Sequence, residues 1–290
     1  MVNDIVEYKE GLTISNIKKL EEQYNFYPSK ALGQNFLIDI NIAKKISSFI
    51  SGEGNVIEIG PGLGSLTVQI ATENRNVVAI EYDKHILNPL LEVLNGFSLM
   101  NYVEIINSDV MKVDLEEQCK KSQSKTIVGN LPYNISAPLI ANICKEATGC
   151  EHMVAMVQKE VGERLCSPQG TRQVSAITLK CQFFMDIKML FQVPKTAFYP
   201  APNVDSVVIE LKRKNKREVV LDDSDIQSFF SLIDAAFSQR RKTLRQSLKG
   251  FIGDKVKDVL EEAQVNSSCR AEELTLNDFK KIFKAYKNES

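Results

Sequence analysis

The chain has 290 residues, 43% hydrophobic, 25% charged and 8% aromatic, with a formal net charge of −1, the ordinary balance of a globular protein at a length that suits one large domain and a smaller one. No apolar run reaches the ~18 residues of a membrane span, and the acidic opening Met1-Val2-Asn3-Asp4 lacks the apolar core of a secretory signal. The expectation is a cytoplasmic protein.

Six cysteines (119, 144, 150, 166, 181 and 269) form no C-x-x-C pair and no Cys/His cluster. They read as free thiols in a reducing compartment rather than disulfides or a zinc site. His85 and His152 stand alone and read as structural or surface residues. The charge is uneven. Residues 206–290 hold 17 Lys and Arg against 14 acids, and residues 1–205 hold the other 19 against 23. Arg240, Arg241, Lys242, Arg245 and Lys249 concentrate the excess, with no acid from Ser238 to Gly253. Such a cluster suits phosphate contacts, although a bare charge run is more often a solvated helix face.

In chain order, residues 1–27 give one weak amphipathic helix, Ile14 to Tyr24, with no assigned chemistry. A glycine-containing loop, Lys30 to Leu37, precedes Asp39, which is placed to cap a helix from Ile40 to Ile50. Gln34 and Asn35 in that loop can set amide groups beside a polar ligand. Asn55 to Ile59 then reads as a buried strand. It runs into glycines at 60, 62 and 64 and a helix containing Leu66, Val68 and Ile70. A second strand, Asn76 to Glu81, ends in an acid able to accept hydrogen bonds from two ribose hydroxyls. The spacing is G-x-G-x-G, not the G-x-G-x-x-G of dinucleotide binders, so with Glu81 it points to S-adenosylmethionine over a nicotinamide cofactor. The glycine turn alone is as well read as an ordinary βα turn.

A helix from His85 to Leu94 and a strand from Val103 to Asn107 follow, with Asp109 at the strand end, where a carboxylate can reach an adenine amino group. The fourth strand, Thr126 to Gly129, ends in Asn130-Leu131-Pro132-Tyr133, and Ser136 is placed to cap the helix Ala137 to Glu146. Asn before a proline turn is common punctuation; its position at the end of a strand in a cofactor-binding sheet makes it the sharpest signal in the chain. Strands are expected at 153–157, 185–193 and 207–211, and a helix at 175–184. The loop from Phe198 to Ser206 carries two prolines that stiffen it. Lys212 to Arg217 reads as a charged linker, followed by four helices at 225–237, 241–248, 255–263 and 276–286. The pattern is an α/β domain with an all-α appendage, divided as residues 1–27, 28–214 and 215–290.

Together these motifs resemble the small-subunit ribosomal RNA adenine N6-dimethyltransferases, the kasugamycin-sensitivity family. Ala31-Leu32-Gly33-Gln34-Asn35-Phe36-Leu37 is similar to that family's cofactor motif, Glu58-x-Gly60-x-Gly62-x-Gly64 to its glycine loop, and Asn130-Leu131-Pro132-Tyr133 to its catalytic tetrapeptide. Phe198-x-Pro200-x-Pro202-x-Val204-x-Ser206 is similar to its target-base loop, and Phe237 to Leu244 to the opening of its second domain. The resemblance implies a Rossmann-like, seven-stranded class I methyltransferase sheet whose last strand is antiparallel. It implies S-adenosyl-L-methionine held by Asn35, Leu37, Gly60, Gly62, Gly64, Glu81, Asp109 and Asn130. It further implies dimethylation of two adjacent adenosines in the 3′-terminal hairpin loop of 16S rRNA, by a monomer acting on the small ribosomal subunit with no metal and no membrane.

The chemistry explains the residue types. The N6 lone pair of adenine is delocalised into the ring, and acceptors at the Asn130 side chain and the Leu131 carbonyl would localise it on nitrogen. Tyr133 and Phe198 are candidates to stack an unstacked base, at ~1–3 kcal/mol per base. The alternatives are a large-subunit methyltransferase of the macrolide-resistance type, a non-catalytic RNA-binding assembly or transcription factor on the same fold, and a DNA adenine methyltransferase.

Overall fold

Helix α1 (Ile14–Tyr24) is closed at its start by a Thr13/Asn16 capping box. The computed structural model describes residues 11–51, 54–215, 221–239 and 241–289. Leu12, Ile17, Leu20 and Phe26 are buried, so residues 11–27 belong to the main core and are not a loose extension of it. Strand β1 (Phe36–Leu37) leads to α2 (Ile40–Ser48), where Asp39 accepts the N–H groups of Asn41 and Ile42 as its position predicts.

The valine- and isoleucine-rich runs form the expected parallel strands β2 (Val56–Ile59), β3 (Val77–Glu81), β4 (Val103–Asn107), β5 (Thr126–Asn130) and β6 (His152–Gln158). Near-continuous burial of β2, β3 and β6 matches a sheet covered on both faces. Helices α3 (Ser65–Thr72), α4 (Leu87–Gly96), α5 (Leu115–Ser122) and α6 (Ser136–Glu146) alternate with the strands. The chain continues through α7 (Lys159–Leu165), α8 (Ala176–Phe184), β7 (Met185–Val193), β8 (Phe198–Tyr199) and β9 (Ser206–Arg213). The seven-stranded sheet runs β4-β3-β2-β5-β6-β9-β7, with β9, last in the chain, antiparallel to β6. This is the expected class I methyltransferase sheet. β1 and β8 form a separate antiparallel pair, Leu37 opposite Phe198 and Phe36 opposite Tyr199.

Two local expectations are corrected. Ser136 does not cap α6. It is the first helical residue, and its hydroxyl turns back to the Tyr133 carbonyl. Helix α5 has no counterpart in the periodicity reading, because only Leu115 and Cys119 of its eight residues are buried.

Packing divides the chain into two units. One runs to Gly162 and takes in Ile187–Arg213; the other joins Glu163–Asp186 to the chain from Lys214 onward. The linker composition put residues 163–186 in the first domain. They cluster with the helices because Phe183 enters an aromatic core with Phe229 and Phe230, at centroid distances of 5.5 Å to each. A buried Phe stabilises by about 1.5–3 kcal/mol. That core is completed by α9 (Asp223–Phe237), α10 (Leu244–Ile252), α11 (Val256–Glu262) and α12 (Leu276–Glu289). All six cysteines are free thiols. No helix among the described residues is long and apolar enough to cross a membrane.

His152 is structural. Its Nε2 lies 3.0 Å from Glu210 Oε1 and its Nδ1 3.1 Å from the Ser51 hydroxyl. Lys188 joins Glu210 at 2.8 Å, so the cluster ties β6, β9 and β7 together. Burial, partly offset by Glu210, holds the imidazole below its ordinary 6.5. The unfolded chain therefore binds this proton more readily, and the stability that His152 contributes is full above pH 6.5 and lost as the pH falls below it. Denaturant unfolding at pH 7.5 and 5.5 should show wild type losing more stability on acidification than His152→Gln; parallel losses would remove His152 from the account.

Candidate active site

An open parallel sheet leaves a crevice beyond the carboxyl ends of its strands. Here it holds a cavity of about 260 Å³, walled by the ends of β2, β3 and β5, the turn after β4, and residues 32–37. Asn35, Leu37, Gly60, Gly62, Glu81, Asp109 and Asn130 all line it, as do Leu131, Pro132 and Tyr133. Two of the expected residues do not. Gly64 stands behind the wall at the start of α3, with φ +87°, where an added Cβ would lie 2.8 Å from Leu90 Cδ1. Its work is to let helix and turn close together. Phe198 is 3% exposed and sits in the core. The alternation of β8 turns its ring inward and leaves Tyr199 on the other side.

The glycine loop is shaped by conformation and by crowding. Gly62 has φ +58°, and a Cβ there would meet the Phe36 ring at 3.1 Å. Only a hydrogen fits between that ring and the loop. Phe36 is itself fixed by the β1–β8 pair and by an edge contact with Phe26, 6.4 Å between centroids. The Ile38 N–H adds a bond to the Ala197 carbonyl at 2.9 Å. In this way the 198–206 loop holds the cofactor motif, although 160 residues of chain separate them.

The wall is acidic. Glu58, Glu81 and Asp109 contribute carboxyl groups, and no Lys, Arg or His borders the cavity among the described residues. Glu81 is buried; its oxygens accept the Gly62 N–H at 3.2 Å and the Asp83 N–H at 2.8 Å. Burial raises its carboxyl above the ordinary range against those two donors. Glu58 is 1% exposed, with the buried Thr67 hydroxyl beside its carboxyl. Burial pushes this carboxyl up to about 8. Asp109 accepts the Met111 N–H at 3.0 Å through Oδ1 only. Gln34 also lines the cavity, its amide nitrogen donating to Asp83 at 2.8 Å and its oxygen accepting the Ser29 N–H at 2.7 Å.

The tetrapeptide is tied down residue by residue. Before it, Gly129 leaves room for the Ile59 carbonyl oxygen, which a Cβ would approach to 2.5 Å. The Asn130 Nδ2 donates to the Asn35 carbonyl at 3.0 Å. That bond fixes the amide plane and leaves Oδ1 without a protein donor among the described residues. The Leu131 N–H donates to Met156 O at 3.0 Å, and the Ile135 N–H closes the turn on Pro132 O at 3.1 Å. Tyr133 is half-buried, with Oη 2.7 Å from the Ser206 hydroxyl. Of the two stacking candidates, Tyr133 therefore borders the cavity and Phe198 does not.

In the helical unit Arg245 and Lys249 lie one turn apart on α10, with Arg241 and Lys242 just before it; all four are exposed and form no ion pair among the described residues. Arg240 lies outside the described residues. Three site residues received no role from the sequence. Glu58 hid in an apolar strand, Tyr82 follows the strand-ending acid and is 61% exposed at the cavity edge, and Ser206 is one serine in a proline loop. Glu58 carried a signal as an acid inside an otherwise apolar run and Ser206 as the last member of the Phe198-x-Pro200-x-Pro202-x-Val204-x-Ser206 motif, while Tyr82 carried none.

A family model described as ribosomal RNA adenine dimethylase matches residues 26–288. The Ribosomal RNA small subunit methyltransferase A of Staphylococcus epidermidis is 37% identical over 300 residues, covering 98% of this chain and 99% of its own. The protein of the same name from Clostridioides difficile is 38% identical over 270 residues, 90% and 92% of the two chains. Among solved structures, a dimethyladenosine transferase from Plasmodium falciparum aligns at TM-score 0.73 with 24% identity, over 88% of this chain and 98% of that one. The 23S rRNA methyltransferase ErmE aligns at TM-score 0.65 with 23% identity, over 87% and 100%. At these identities the two structures establish the shared fold.

The buried acid gives a prediction. The folded chain keeps the Glu58 proton up to about pH 8, whereas the unfolded chain loses it near the ordinary 4.5. The folded state thus loses relative stability as the pH rises between those values. Glu58→Gln should gain in melting temperature over wild type as the pH goes from 5 to 8.5; a pH-independent difference would show that Glu58 ionises normally.

Proposed function

The chain belongs to the ribosomal RNA adenine dimethylase family, and from that premise we propose that it dimethylates N6 of two adjacent adenosines in the 3′-terminal hairpin loop of small-subunit rRNA, with S-adenosyl-L-methionine as donor. The observation that carries this reading is the Asn130 amide, whose nitrogen is taken by the Asn35 carbonyl and whose oxygen is left at the cavity.

The wall fits this donor. Glu81 offers carboxylate oxygens to a ribose diol, Asp109 an oxygen to an adenine amine, and the acid-only lining suits a ligand bearing sulfonium and ammonium charge. Gly60 and Gly62 keep the wall free of side chains where a ligand must pass close. When bound, this cofactor supplies a methyl group already activated on a sulfonium.

The residues of the chain then have a limited task. Asn130 Oδ1 and the Leu131 carbonyl accept the two N6 hydrogens, drawing the nitrogen toward tetrahedral geometry. Tyr133 supports the base face. Pro132 fixes φ between them and restricts Leu131 before it. The rate gain comes from alignment and from dipoles placed before reaction. Among the described residues the cavity wall carries neither His nor Cys, and none is needed, because the alkylated nitrogen is itself acidic. Arg241, Lys242, Arg245 and Lys249, with Arg240, supply the phosphate contacts of a particle-binding face, as a monomer in the cytoplasm. The small-subunit substrate is favoured over the large because the relatives at 37% and 38% identity carry the small-subunit name.

Purified chain should incorporate methyl groups into unmethylated small ribosomal subunits and not into large ones; the reverse pattern would exchange the substrate. Asn130→Ala should lower transfer by at least about 100-fold with donor affinity much less affected; full turnover would remove Asn130 from the chemistry. Reversing the charge of Arg241 and Lys242 should weaken particle binding and flatten its salt dependence; an unaltered slope would move the phosphate contacts elsewhere.

A further inference from the structure

Three of the tetrapeptide's hydrogen bonds reach parts of the fold distant in sequence, each a different one. Asn130 is held by the Asn35 carbonyl, Leu131 by Met156 of β6, and Tyr133 by Ser206 at the start of β9. The first two fix an acceptor amide and the main chain. Only the third touches the aromatic ring. We propose that Ser206 is a positioning residue for methyl transfer: its hydroxyl pins the Tyr133 phenol and so sets where the ring stands beneath the target base. This rests on the reading of Tyr133 as the stacking platform.

Ser206 is suited to act as a fixed point. It is 0% exposed and lies opposite Gln158 in the β6–β9 ladder. Just before it, the Asp205 carbonyl accepts the Lys159 N–H at 3.0 Å and the Asp205 carboxylate accepts the Lys195 N–H at 2.9 Å. Just after it, Val207 packs against Gly162 so closely that an added Cβ there would fall 2.1 Å from Val207 Cγ2. The backbone around Ser206 is therefore immobilised on both sides. A buried hydroxyl must find a partner or carry an uncompensated desolvation cost, and the phenol oxygen at 2.7 Å is that partner.

Tyr133 has the complementary need. Two rotatable side-chain bonds separate its ring from the main chain, and an aromatic face at a cavity edge is open on one side. A hydrogen bond at the far tip stops the swing about the first bond and so fixes where the ring stands; the second bond turns the ring about the axis through the phenol oxygen, and packing sets that angle. Burial also raises the phenol above its ordinary 10.0, so the group stays protonated and the bond persists across the neutral range. The serine of the 198–206 loop and the tyrosine of the tetrapeptide thus form one device, and the loop reaches the base through Tyr133 where Phe198 does not.

The test is a double-mutant cycle on the full chain with unmethylated small subunits. Single-turnover rate, KM for the particle, donor affinity by calorimetry and melting temperature are compared for wild type, Ser206→Ala, Tyr133→Phe and the pair. Each single variant should lower the transfer rate between about 10- and 100-fold, the range expected when alignment is lost, with donor affinity unchanged. The pair should be no slower than the slower single, because both remove one interaction. Ser206→Thr, which keeps the hydroxyl, should recover most of the rate. If Ser206→Ala destabilises the fold, Tyr133→Phe carries the test, since it removes one oxygen and no packing. Multiplicative losses, a wild-type rate in either single variant, or losses matched by donor affinity and melting temperature would overturn the role of Ser206. A wild type that transfers nothing to the particle would instead remove the proposed function itself.

Discussion

An amide has a donor end and an acceptor end, and in Asn130 the donor end is already committed. The bond from its Nδ2 to the Asn35 carbonyl decides which atom faces the cavity. Everything around it serves that orientation. Gly129 lets β5 run close to the Ile59 carbonyl, Leu131 is fastened to β6, and Tyr133 to β9. Asn35 is held in turn, its own amide bonded to the Gly33 carbonyl at 3.0 Å and its neighbour Phe36 paired with Tyr199. A carbonyl dipole aimed before the substrate arrives requires no reorganisation during reaction, which is where electrostatic catalysis gains most.

The cavity wall follows a second constraint, an excess of acceptors. Three carboxyl groups border it without a cationic side chain among the described residues, and one of them, Glu58, is held protonated by burial up to about pH 8. In the proposed reading, a donor with hydroxyl and amine hydrogens uses the lone pairs that Glu81 and Asp109 keep beside the N–H bonds they already accept. In that reading the wall and the tetrapeptide are complementary parts, one for the methyl source and the other for the nitrogen that receives it.

Much of this was legible in the sequence because it is local. Buried parallel strands announce themselves as Val/Ile runs, the glycine turn by its spacing, and Asp39 as a cap by its place before an apolar period. What failed to show is non-local or lacks an apolar stripe. β1 and β8 have two residues each, too few for any period, and exist only because distant segments meet. That pairing in turn decides the fate of Phe198, whose aromatic character suggested a stacking face while the register sends it to the core. Helix α5 has four charged residues among its eight and only Leu115 and Cys119 on its buried face, too short an apolar stripe to read. Residues 163–186 join the helical unit through Phe183, a long-range contact that composition cannot reveal. The role of Ser206 depends on a partner 73 residues away.

The most direct measurement is the crystal structure of the chain with S-adenosylhomocysteine and a short RNA hairpin presenting the target adenosine, read at one distance. With the base unstacked, the adenine N6 should lie within roughly 2.7–3.2 Å of Asn130 Oδ1, on the side away from the Asn35 carbonyl. An N6 found beyond hydrogen-bond reach of Asn130, or an Asn130 amide turned to face the base with its nitrogen, would contradict the claim that this side chain accepts the proton-bearing amine.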